Sequence, residues 1–127
     1  MKIQITDLQE VLDAALVNFQ SEIGNGTARW VGTTPKIGDE LDVELDLDEV
    51  FSWGKNLIPS SRNAPYITVI GKVTHITAEI IQDSSEECTA LKFADSIILI
   101  ETDEPIPQPS GFVELRATNV YLYPTNL

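Results

Sequence analysis

Three β-rich segments change the parity of their apolar residues midway, and nothing else in the chain constrains its fold as strongly. In 66–82 the apolar set runs Ile67, Val69 and Val73, then shifts to Ile76, Ala78 and Ile80. In 89–101 Leu91 and Phe93 give way, after Asp95 and Ser96, to Ile98 and Ile100. In 111–123 Val113, Leu115 and Ala117 are followed by Val120 and Leu122. Side chains alternate between the two faces of a strand, so a parity flip requires a bulge or a passage from one sheet to another. Gly71, inside the first segment, is expected to permit sharp coiling there. Flips in three long strands predict a strongly curved sheet, closed or nearly closed. A β-sandwich with strands crossing between its sheets is the alternative.

The rest of the chain also reads as mainly β, with one ambiguous stretch. Ile3 and Ile5 alternate with polar residues and suggest a short first strand. Leu8, Val11, Leu12, Ala15, Leu16 and Phe19 then fall on one helical stripe, with Asp7 as cap and Glu10 completing an acidic capping box. This spacing predicts an N-terminal helix over 8–20. The competing reading is a strand over 15–22 with Val17, Phe19 and Ser21 on one face. Gly24-Asn25-Gly26 would then turn the chain into the next strand, which covers 27–33 and is expected to place Trp30 in the core. Prolines at 105, 107 and 109 predict a stiff connector before the last segment.

Five or six curled antiparallel strands in a chain of 127 residues resemble the oligonucleotide/oligosaccharide-binding (OB) fold, a small partly open barrel. The resemblance covers 27–123 and concerns architecture. The helix expected between the third and fourth strands is missing, since only 82–88 stands there. The length favours a single domain spanning 1–127. Such a fold hosts many functions, so function has to be read from the residues.

Charge excludes more than it includes. Eight Lys and Arg stand against twenty Asp and Glu, a formal net charge of −12. Nucleic-acid affinity rests on cations that displace counterions from phosphates, so neither nucleic acid nor an anionic membrane is an expected partner. The single cysteine, Cys88, excludes an intramolecular disulfide and a cysteine-based zinc cluster. The first residues hold no apolar run of signal-peptide length and no stretch approaches a spanning helix, so a cytoplasmic location is expected.

The strongest local feature is an acidic ridge. Residues 39–49 contain seven acids and no base. Between 41 and 47 the pattern alternates strictly, with Leu41, Val43, Leu45 and Leu47 on one face. Asp42, Glu44, Asp46 and Asp48 line the other. Such a row either solubilises the chain, offset by Arg29, Lys72, Lys92 or Arg116 on neighbouring strands, or steers a basic protein partner onto it. Calcium binding would need converging oxygens and a glycine for the sharp turn, and the strand supplies neither, so no metal or other cofactor is expected. The loop that follows carries Trp53, Lys55, Asn56 and Arg62, residue types suited either to anchoring a partner or to walling a ligand cleft.

Enzymatic signatures are sparse. His75 is the only histidine and sits mid-strand, where a structural role is expected. Cys88 follows two glutamates that disfavour its thiolate. The expected function is therefore a non-enzymatic protein-binding module that uses Asp42, Glu44, Asp46, Asp48, Trp53, Lys55, Asn56 and Arg62. In size and charge it resembles small acidic bacterial immunity proteins, which implies masking of a basic site on a nuclease-like partner. The alternatives are a small-molecule or oligosaccharide binder at the barrel mouth, and a subunit of a larger assembly docked through 97–100 or an edge at 121–124.

Overall fold

The computed structural model describes residues 1–12, 14–83 and 88–125. Among these residues twelve strands account for the regular structure: β1 (Lys2–Val11), β2 (Ala14–Ser21), β3 (Gly24–Trp30), β4 (Glu40–Leu47), β5 (Val50–Phe51), β6 (Leu57–Pro59), β7 (Tyr66–Ile70), β8 (Val73–Asp83), β9 (Cys88–Phe93), β10 (Ser96–Thr102), β11 (Gly111–Ala117) and β12 (Val120–Pro124).

Five of them close on one another. β1 pairs antiparallel with β2, and β2 with β3. β3 pairs parallel with β12, β12 antiparallel with β4, and β4 antiparallel with β1. The result is a small, closed, mixed barrel of the OB-like kind. Its lining follows from the alternation. Ile3, Ile5, Val17, Phe19, Ala28, Val43, Leu45 and Leu122 are buried, while the intervening polar residues of β2 and β4 face water. Gly26 stands opposite Phe19, and a Cβ there would run into the ring, so the glycine makes room for the aromatic.

The expected helix over 8–20 does not form. These residues belong to the β1–β2 hairpin, in which Val11 pairs with Ala14. Ala15, Val17 and Phe19 point inward with period two, and the helical stripe is coincidental. Val11 and Leu12, two of its members, project from the exposed hairpin tip. The alternative strand reading of this stretch holds, with one change. The turn falls at Glu22 and Ile23, and Gly24-Asn25-Gly26 lies within β3.

The remaining strands form a second curled layer inserted between β4 and β12. β6 pairs with β11, and β11 with β8. The other edge of β8 is shared end to end by β7 and β9, and β9 leads on to β10 and the parallel β5. The barrel strands therefore lie within 2–47 and 120–124, not across 27–123. The third and fourth barrel strands are joined by 31–39, again without a helix. The expected barrel of five or six strands is present with five, but it is mixed rather than antiparallel, and the described residues hold twelve strands with three parallel pairings.

Two of the parity flips are hairpin turns and the third is a passage between layers, so none is a bulge within one long strand. In 66–82 the chain makes a hairpin, with Gly71 at φ 64 in the turn between Ile70 and Val73. In 89–101 a tight turn at Ala94 and Asp95 joins Phe93 to Ser96. In 111–123 the chain leaves one layer for the other at Thr118 and Asn119. The layers meet where Gly24 bridges Ile67, so closely that a Cβ on Gly24 would collide with the Ile67 carbonyl oxygen. Their apolar side chains form one continuous core.

Candidate functional site

The ridge stands as the alternation requires. Asp42, Glu44 and Asp46 are exposed on the outer face of β4 and Asp48 just past its end, over a row of buried Val43, Leu45 and Leu47. Same-face neighbours on a strand are roughly 6.6 Å apart. At that spacing each adjacent pair repels by about 0.6 kcal/mol even at the dielectric of water. Lys2 is opposite Asp42 in the ladder. Among the described residues, however, the ion pairs within 4.0 Å are Met1–Asp95, His75–Glu114 and Arg116–Glu114, and none includes a ridge carboxylate.

The four cations considered as a counterweight are occupied or placed elsewhere. Arg116 pairs with Glu114 at 2.9 Å, and Lys92 lies opposite Glu79 and Ile97. Lys72 is in the β7–β8 turn. Arg29 lies over the Tyr121 ring, 5.8 Å from its centroid, and donates to the Tyr121 hydroxyl at 3.3 Å.

Two tyrosines flank the ridge, and sequence reasoning did not assign them to it. Tyr121 is opposite Asp46 and Tyr123 opposite Glu44. The Tyr123 hydroxyl donates to Asp46 Oδ2 at 3.4 Å. Its pKa is raised above the ordinary phenol value of 10.0, first by desolvation, then by the charge of Asp46 and the hydrogen bond to it, with smaller contributions from Tyr121 and Asp48. The readable signal was the alternation around the buried Leu122, which turns both tyrosines outward. β12 is not an edge, because β3 and β4 pair with its two sides.

Two other acids of 39–49 have structural duties. Asp39 accepts from the Lys36 N–H at 2.9 Å and closes the turn before β4. Glu49 accepts from the Thr118 and Asn119 N–H groups at 3.0 and 2.8 Å.

The loop residues are dispersed. Trp53 is half-buried, packs against the core and bridges Leu57. Asn56 takes the Ser52 N–H on Oδ1 at 2.7 Å and donates to the Val50 carbonyl at 3.1 Å, so its amide holds the loop. Lys55 is exposed at the loop tip. Arg62 stacks 3.9 Å from the Tyr66 ring centroid. A different, polar cleft of about 320 Å³ opens on the β2–β3 face, between Asn18, Gln20, Asn25, Thr27 and Thr68. His75 joins the Glu114–Arg116 cluster through Nδ1, 3.5 Å from Glu114 Oε2.

Among the described residues no three of His, Cys, Asp and Glu are grouped to hold a metal ion, and no helix is long and apolar enough to cross a membrane. The class defined by these features is an OB-like β-barrel with an inserted β layer and an acidic outer strand. Comparison with protein-family models, curated proteins and solved structures finds no match.

Proposed function

We propose that the protein is a non-enzymatic binding module that docks the acidic face of β4 onto a basic surface of a protein partner. An inhibitor or immunity-type role, masking the cationic site of a nuclease-like enzyme, is its most concrete form. One observation carries the reading: four outward carboxylates in a row, joined to no cation by an ion pair among the described residues. A row of carboxylates free of such ion pairs steers oppositely charged surfaces and selects among them. The test measures association of a small basic ribonuclease with the immobilised protein. Reversing Asp42, Glu44 and Asp46 to Lys slows association by about tenfold or more, and added salt reproduces part of the loss. Reversing Asp7, Glu10 and Glu104, which line none of the ridge clefts, changes net charge equally and has a smaller effect. Equal effects of the two triple variants defeat the reading.

A second reading is favoured by the β2–β3 cleft. Its amides and hydroxyls suit the hydroxyls of an oligosaccharide, and this is the face OB barrels use for ligands. A thermal-shift screen against sugars tests it. A ligand of the native state raises the melting temperature, and Asn18→Ala removes the shift.

A further inference from the structure

The outer face of β10 is apolar where a solvated strand is ordinarily polar. Ile98 and Ile100 are buried, but Ile97 and Leu99 are 61% and 62% exposed. Val50, 51% exposed, lies beside Glu101 in the parallel β10–β5 ladder and therefore on the same face. Ile97, Leu99 and Val50 form an aliphatic strip.

The strip runs alongside the acidic ridge. β10 packs next to β4, and β4 continues into β5, which is parallel to β10. A cleft of about 460 Å³ joins the two rows, lined by Asp42, Glu44, Asp95, Ser96 and Ile97. One surface thus offers carboxylates on one strand and aliphatic side chains on the next. We infer that this surface takes a cationic amphipathic segment of a protein partner, whose Lys and Arg side chains face β4 and whose aliphatic side chains cover Ile97 and Leu99. The inference rests on the docking reading of the ridge and specifies the partner chemistry. A second copy of the chain is the wrong occupant, because Asp42, Glu44, Asp95 and Glu101 border the strip and would meet their own kind.

Two labelled helical peptides of equal length and charge test this, one with a lysine stripe adjoining a leucine stripe, the other with serine in place of leucine. Fluorescence anisotropy is read on the native protein, on Ile97→Ser with Leu99→Ser, and on the Asp42, Glu44, Asp46 to Lys reversal. Both serines are introduced at exposed positions, and an unchanged melting temperature verifies folding. The native protein prefers the leucine peptide by about tenfold, the scale expected for covering two half-exposed aliphatic side chains. The serine variant loses that preference and keeps its affinity for the lysine–serine peptide, whereas the charge reversal weakens both. If the preference is absent or survives the serine variant while the ridge still governs binding, the amphipathic inference falls and the ridge reading stands. If binding of neither peptide responds to the reversal, the ridge reading itself falls. A dimer in sedimentation that Ile97→Ser with Leu99→Ser dissolves also overturns the inference, by giving the strip to self-assembly.

Discussion

The carboxylate of Glu49 accepts the backbone N–H of Asn119 at 2.8 Å and that of Thr118 at 3.0 Å. It ties the point where the chain leaves the barrel to the point where it returns, seventy residues later. The Asp48 N–H donates to the Asn119 carbonyl at 3.1 Å, and the Asn119 amide donates to the Asp48 carbonyl at 3.3 Å, which completes the staple. The acidic ridge ends against this staple, so the C-terminal end of its strand is held in place.

Removing the Glu49 carboxylate leaves two backbone donors without their acceptor. Glu49→Ala is expected to destabilise the protein by about 1–3 kcal/mol, and Glu49→Gln by less because an oxygen acceptor remains. Urea unfolding of the three proteins side by side gives the comparison.

Gly24→Ala places a methyl group against the Ile67 carbonyl oxygen, at φ 133 where a side chain is already strained. The two layers cannot then approach as they do. A loss of more than about 2 kcal/mol is expected, on the scale of overpacking plus a forbidden backbone conformation. Thermal unfolding monitored through the near-ultraviolet signal of the tryptophans reads it.

Leu12 has φ 55 at the tip of the β1–β2 hairpin and is 98% exposed. It carries the left-handed strain of an L residue without burial to offset it. Leu12→Gly is expected to stabilise the fold by about 1 kcal/mol or slightly less, since glycine also loses more freedom on folding. An unchanged or lower midpoint in denaturant refutes this.

The ridge should diminish stability through its own repulsion. Glu44→Gln, which removes the repulsion with both Asp42 and Asp46 and leaves Asp42 opposite Lys2, is expected to raise stability by roughly 1 kcal/mol at low salt, with the gain shrinking as the Debye length falls. Denaturation at two ionic strengths separates this from any effect of packing. A gain that is indifferent to salt removes the electrostatic explanation.

Tyr123 is expected to titrate above the ordinary phenol value of 10.0. The raised value favours the neutral, protonated form. Its contribution to stability is therefore fully present below the unfolded-state value and is lost as pH rises through the folded-state one. Asp46→Asn removes the neighbouring charge and lowers the pKa. Ultraviolet titration against a Tyr123→Phe control measures both.

The class of fold was legible in residues, but its wiring was not. Alternation in 41–48 places Val43, Leu45 and Leu47 inward and four acids outward, because period two is a local property of the extended chain. The parity flips pointed to a curved sheet, but two of the three mark hairpin turns between separate strands and only the third a passage between layers. Hairpin turns at 71–72 and 94–95 and a layer crossing at Thr118 and Asn119 look alike in a sequence because each shifts the alternation by an odd number of residues. The stripe from Leu8 to Phe19 satisfied a helix and a hairpin equally. Pairing with β3 and β4 decided between them, and those partners are non-local.

By itself, the chain of residues determined that the protein is mainly β, strongly acidic and ridged with carboxylates along one strand, since these depend on composition and on neighbours in sequence. Tertiary structure alone decided that β12 closes the barrel against β3, that Glu49 is a staple while Asp46 is a ridge member, and that Ile97 and Leu99 face water beside the acids. Each of these depends on which distant backbone a strand pairs with, and strand pairing joins residues whose separation along the chain carries no local signature.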